Sequence, residues 1–247
     1  MQPEDTRSDA ERKRVVRRNL LFLGGAAAVV TVGTKASHWI DTLRPPNFEF
    51  GPVPGVSGFR MIDRSDVSSA PVDPFIGLET KAPKPASLRG DLFDLVHFER
   101  GTRLPVAEFT DYNCPYCKVL SRDVHHFVET GEIDLSLHLL PLLGPDSVDA
   151  ARVSLAVDDA QFHRRLMGSQ LRMTGEYARV LARDRDHTIG LLSRSDPYIA
   201  RAFALADRFG IIGTPALIVG RTLVIGRISR AHLGQLIALE RKDMGLV

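Results

Sequence analysis

The chain contains two cysteines, Cys114 and Cys117, and their spacing of three limits it more than any other feature. They stand in Cys114-Pro115-Tyr116-Cys117, between an apolar run at residues 104–110 and a segment from 114 to about 130. In that segment Leu120, Val124, Phe127 and Val128 recur at helical spacing, and Gly131 stops it. The pair therefore sits at a strand-to-helix junction. Cys114 at the N-cap places its sulfur beside the free N–H groups of the first helical turn, where the helix dipole favours a thiolate. Pro115 suits the first helical position, where a missing N–H costs nothing. Cys117 falls one turn later on the same side, within disulfide reach. A mixed disulfide on Cys114 is then open to resolution by Cys117, which is thiol–disulfide exchange.

A Cys-x-x-Cys pair has two other uses. Zinc usually takes four ligands, and the nearest histidines, His125 and His126, lie further along the same helix; both read as solvated helix residues. A purely structural disulfide would close a loop of four residues and stabilise little by chain entropy. Neither a metal nor another cofactor is expected beyond the redox-active cysteine pair.

Charge divides the chain. Residues 1–36 carry seven Lys/Arg and four Asp/Glu, a net +3, and residues 37–247 sum to −1. The sequence pI near 8.6 thus comes from the N-terminus, and bulk charge gives the rest no attraction for nucleic acid. With 44% apolar and 25% charged residues, wholesale disorder and a multi-span membrane protein are excluded.

Residues 1–36 read as a signal peptide or N-terminal anchor. Five bases between Arg12 and Arg18 precede 14 uncharged residues, 20–33. That is the secretory pattern, and it is short for a membrane span. Arg17-Arg18 followed by Asn19-Leu20-Leu21 resembles a twin-arginine export signal, although Val16 stands where Ser or Thr is usual. Thr34-Lys35-Ala36 offers a cleavage position with Lys between the two small residues. Either use puts the body of the protein outside the cytoplasm, in the periplasm.

Eight of the fifteen prolines fall in residues 45–85, which predicts an extended Pro-rich spacer over 37–91, docked in part by Phe48, Phe50, Phe59 and Phe75. The folded domain is expected over 92–247. A first strand is read at 92–98 and a second at 104–110. The helix from 114 follows, then a strand in which Ile133, Leu135, Leu137 and Leu139 alternate with polar residues. Residues 147–210 form a helical block with helices near 147–157, 161–167, 175–183 and from Asp196-Pro197 to Gly210. Strands at 216–219 and 222–225 follow, and a last helix capped by Ser229 runs to about 242. This is a small mixed α/β sheet with a helical insertion.

Gly213-Thr214-Pro215 precedes the strand at 216–219. Three segments in this order, residues 108–117, residues 140–151 (Leu140-Pro141-Leu142-Leu143-Gly144-Pro145-Asp146-Ser147 with Ala150-Ala151) and residues 210–216, resemble the DsbA family over roughly residues 92–243. The resemblance implies a thioredoxin fold with a helical insertion, preceded by the export signal and the Pro-rich extension. It implies Cys114 as the attacking thiolate and Cys117 as the buried resolving thiol. Pro115, Tyr116, Thr214 and Pro215 become substrate-binding residues, with Pro215 cis. Glu108 matches the family's buried carboxylate, whose pKa burial would raise so that it exchanges a proton with Cys117.

The chain departs from the family's founding oxidase in having Pro115-Tyr116 where that protein has Pro-His, so it lacks a titratable cation there. Thr214 resembles the isomerase branch, whose extra N-terminal dimerisation domain residues 45–85 do not match. The expected function is an exported dithiol oxidase. A reductase or isomerase kept reduced by a membrane partner, and a non-catalytic client- or metal-binding thioredoxin-like protein, are the alternatives. The expected partners are unfolded or partly folded exported proteins and a membrane redox partner.

Overall fold

The computed structural model describes residues 48–62, 87–99, 101–182 and 196–246. The elements run β1 (Phe50–Pro52), β2 (Arg60–Ile62), α1 (Leu92–Val96), β3 (Leu104–Thr110), α2 (Pro115–Glu129), β4 (Ile133–Leu139), α3 (Pro145–Val157), α4 (Ala160–Gly168), α5 (Gly175–Ala182), α6 (Asp196–Phe209), β5 (Ala216–Val219), β6 (Thr222–Ile225) and α7 (Arg230–Asp243). Six strands form one mixed sheet in the order β1-β2-β6-β5-β3-β4. β3 is parallel to β4 and antiparallel to β5, so it lies inside the sheet, and all seven of its residues are buried.

Strand alternation sends the side chains of β3 to two different cores. Ala107 and Phe109 join Leu205, Phe209 and Leu140 in a cluster with α1 and α6 packed on it. Leu104 and Val106 join Leu120 and Val124 of α2 and Leu233 and Leu236 of α7 on the other side. Glu108 and Thr110 share the parity of Leu104 and Val106, which turns the carboxyl toward α2. A third cluster gathers Tyr112, both cysteines, Phe162, Leu166 and Met173 beneath the helical insertion. The redox turn is thereby wedged between sheet and insertion.

The expected first strand at 92–98 is a short helix instead. The Asp91 carboxylate accepts the Phe93 N–H at 2.9 Å and caps α1. Leu92, Phe93 and Leu95 then pack against the core from one turn of helix. A local cap outweighs the strand-like composition here. The first strands lie instead in the Pro-rich stretch, within the residues expected as spacer. β1 and β2 are three residues each, and they extend the sheet at its edge, where proline is tolerated. β2 runs parallel to β6 with Arg60 opposite Thr222. Arg60 donates to the Glu240 carboxylate at 2.6 Å and to Asp243 at 2.8 Å, while Thr222 and the Arg221 N–H also donate to Glu240. One buried carboxylate thus fastens the edge to α7. Gly220 of the β5–β6 turn has φ +55°, and a Cβ there would collide with Glu240.

Phe59 is buried against Phe209 at a ring separation of 4.9 Å, and Phe48 packs on the α7 side. Phe75, the leader and anchor reading of 1–36 and most of the spacer lie outside the described residues. Among the described residues, no helix is long and apolar enough to cross a membrane.

Candidate active site

Cys114 is the N-cap of α2, with extended backbone at φ −80° and ψ 116°, and Pro115 opens the helix. The Cys117 N–H donates to Cys114 Sγ at 3.3 Å, so one of the helix's free donors is spent on the sulfur. From the other side Cys114 Sγ donates to the Thr214 carbonyl at 3.4 Å. The Thr214–Pro215 bond is cis. Both cysteines are free thiols. Cys114 keeps 4% of its surface and Cys117 none, so both are buried and only the first has any route to solvent. Tyr116 between them is 60% exposed.

The two thiols are pushed apart in acidity. The hydrogen bond from the Cys117 side chain, helped by the N–H groups of Cys117 and Tyr116 and by Thr214, brings Cys114 down to about 7 against the opposing effect of burial. Burial pushes Cys117 well above the usual thiol range, and the neighbouring Cys114 adds to it. Their charges are coupled: a proton held by Cys117 stabilises the Cys114 thiolate.

Glu108 is fully buried on β3. Neither of its carboxyl oxygens has a protein hydrogen-bond partner. Burial raises its pKa to about 8, with the nearby Thr110 and Ser121 hydroxyls opposing the shift. Those two hydroxyls are likewise without protein partners. A protonated carboxyl is held under the first turns of α2, where it can exchange a proton in the neutral range.

The structure brings the expected residues Cys114, Cys117, Pro115, Tyr116, Thr214, Pro215 and Glu108 to one end of the sheet around the start of α2. It adds residues that sequence reasoning missed. Asp111 accepts from Asn113 N–H at 2.7 Å, Ser147 Oγ at 2.8 Å and Leu143 N–H at 3.0 Å, and burial raises its pKa. Asn113 reaches Ser147 and Met173, and Lys118 reaches the carbonyls of Ser169 and Leu171. The partners of Asn113 and Lys118 lie 34 or more residues away, and only the motif around Ser147 hinted at them. His125 is a correction. It is half-buried, its ring 5.7 Å from that of His163, and burial lowers its pKa. Among the described residues, no group of three or more His, Cys, Asp or Glu is placed to hold a metal ion.

No family model and no curated protein sequence matches the chain. Solved structures do. A thioredoxin-like oxidoreductase from Silicibacter pomeroyi is 32% identical, with 56% of this chain aligned to 86% of that one at a TM-score of 0.51. The chain belongs to the thioredoxin-like oxidoreductases. The catalytic domain of Proteus mirabilis ScsC is 26% identical over 55% of this chain and 81% of that one, at a TM-score of 0.52. A periplasmic thioredoxin-like protein from Salmonella enterica serovar Typhimurium is 25% identical over 62% and 98%, at 0.54. As a member of this family, the chain is a thiol–disulfide oxidoreductase.

Proposed function

We propose that the chain is an exported dithiol oxidase that passes a disulfide to unfolded or partly folded proteins outside the cytoplasm. What supports exchange chemistry is the Cys114 thiol brought down to about 7 beside the buried Cys117; the oxidising direction is the proposal's own, since a thiol near 7 serves a reductant equally well. A stabilised thiolate favours the reduced form of the chain, and a stabilised reduced form makes its disulfide a stronger oxidant. The basic, apolar leader and the periplasmic Salmonella relative support the location.

In the forward step a client thiolate attacks Cys114 Sγ of the Cys114–Cys117 disulfide. The S–S bond breaks and Cys117 leaves as a thiolate. The Glu108 carboxyl supplies the proton that Cys117, with its raised pKa, demands. A second client thiolate then attacks the client sulfur of the mixed disulfide and releases the Cys114 thiolate. The client loses two electrons and the chain gains them. A membrane redox partner re-oxidises the pair, and no metal or cofactor is required of the chain itself.

The oxidised chain mixed with an equal amount of a reduced, unfolded client and no other oxidant is expected to yield one client disulfide per chain at neutral pH. A client that stays reduced beside a chain that stays oxidised contradicts the proposal.

A further inference from the structure

The residues that lead into the thiol are held by a closed set of hydrogen bonds. The Asp111 carbonyl accepts the Cys114 N–H at 3.1 Å, and the Asp111 carboxylate accepts the Asn113 N–H at 2.7 Å. Residues 111–114 thus form a turn stapled by its own first side chain. The same carboxylate accepts the Ser147 hydroxyl at 2.8 Å and the Leu143 N–H at 3.0 Å. Ser147 Oγ in turn accepts one Asn113 Nδ2 hydrogen at 3.0 Å, which closes a ring of Asp111, Asn113 and Ser147. The other Nδ2 hydrogen goes to the Met173 carbonyl at 2.9 Å, and Asn113 Oδ1 accepts the Met173 N–H at 2.7 Å. Both donors of the amide are spent. Asp111, Ser147 and Met173 are all buried.

We infer that Asp111, Asn113 and Ser147 are positioning residues that clamp the 111–114 turn to the helical insertion and so hold Cys114 in the N-cap geometry that aims its sulfur at the free donors of α2. The inference rests on the reading of Cys114 as the attacking thiolate. Pro115 fixes its own φ at the first helical position, so the place of the sulfur is set by the backbone of residues 113 and 114. These are the residues the clamp holds. Cys114 is extended at φ −80° and ψ 116°, and its sulfur receives the Cys117 N–H at 3.3 Å. A turn free to rotate there would carry the sulfur away from that donor, and with it the stabilisation of the thiolate. The anchors lie on the insertion, Ser147 in the first turn of α3 and Met173 in the α4–α5 connection, 34 and 60 positions from Asn113. Apolar packing of Tyr112 and Met173 already seats the insertion on the turn, and a carboxylate costs more to bury than an apolar side chain in the same place. The directional bonds add what packing does not supply, a fixed orientation of the backbone in front of the thiol.

The test reads the pH midpoint of Cys114 alkylation by iodoacetamide in the reduced full chain, together with the denaturant midpoint of each variant. Asn113→Ala removes the bonds to Ser147 and both bonds to Met173, and it is expected to move the alkylation midpoint up by about one pH unit, the scale of weakening one hydrogen bond to a charged group. Ser147→Ala leaves the Met173 pair in place and is expected to move it up by about half as much. Leu236→Ala, in the core beneath α7, is expected to lower the denaturant midpoint and to leave the alkylation midpoint at the parent's. Parental alkylation midpoints in Asn113→Ala and Ser147→Ala overturn the inference. So does an equal shift in Leu236→Ala, because lost stability alone then accounts for it. If Asn113→Ala does not fold, Ser147→Ala decides, and a parental midpoint there overturns the clamp. A parent that labels at Cys117, or that exchanges disulfides with no client, counts against the reading of the site instead.

Discussion

Cys114 Sγ and the carbonyl of Thr214 meet at 3.4 Å although 100 positions separate them in the chain. That contact joins the helix end that acidifies the sulfur to the loop that lies over it. Cys114 is held between helix donors on one side and a backbone acceptor on the other. Cys117 is fully buried, and burial together with the neighbouring Cys114 holds its proton on.

The first consequence is selective chemistry. In the reduced protein, alkylation is expected at Cys114, with a rate that reaches half its maximum near pH 7, where the thiolate becomes half populated. Peptide mapping after limited reaction checks the site, and a pH series checks the midpoint. Preferential labelling of Cys117 contradicts the assignment of roles.

Glu108 ties stability to pH in the direction opposite to an ordinary carboxylate. Its folded pKa is raised to about 8 from 4.5. Above pH 4.5 the unfolded chain releases a proton that the folded chain keeps, so this group destabilises increasingly as pH rises and levels off near 8. Glu108→Gln is therefore expected to be more stable than the parent at pH 8, by on the order of 4 kcal/mol, and to differ little at pH 4.5. On the proposed role of Glu108 as proton donor to Cys117, the same variant is expected to slow client exchange. Denaturant titrations at both pH values measure the first effect. An equal difference at both contradicts the buried, protonated carboxyl.

Two buried histidines act at the acid end. Burial lowers His138 to about 4 and His163 to about 3, against an unfolded value of 6.5. As pH falls below 6.5, the unfolded chain takes up protons that the folded chain refuses. Stability contributed by the neutral rings is complete above pH 6.5 and is lost progressively toward pH 4. Between pH 7 and pH 5 each histidine is expected to cost about 2 kcal/mol. The clearest background is Glu108→Gln, where the opposing gain from the carboxyl is absent. His163 Nδ1 lies 2.8 Å from Tyr112 Oη, next to the redox turn. A flat stability profile between pH 7 and pH 5 in that background contradicts the expected loss.

Local signals made much of the fold legible in the sequence. Cys114 and Pro115 mark the start of α2. At its other end Gly131 has φ +76°, and Glu132 N–H returns to the Phe127 carbonyl at 2.9 Å. The alternation of residues 133–139 and the Asp196-Pro197 start are equally local. The edge strands β1 and β2 were hidden because three residues carry no period and prolines surround them. Residues 92–96 were misread because a single capping aspartate decided between helix and strand. At the site, the cysteines were legible from their spacing, and Thr214, Pro215 and Glu108 from resemblance. The Asn113 and Lys118 bonds were not, because their partners lie on a loop 51 to 60 positions away with no motif of its own.

The direction of electron flow is decided by the redox state of Cys114 and Cys117 in intact cells, trapped by acid quenching and thiol alkylation. A dithiol oxidase is expected to be found mostly as the disulfide. A pair found mostly as free thiols contradicts the oxidase and assigns the chain to reduction or isomerisation.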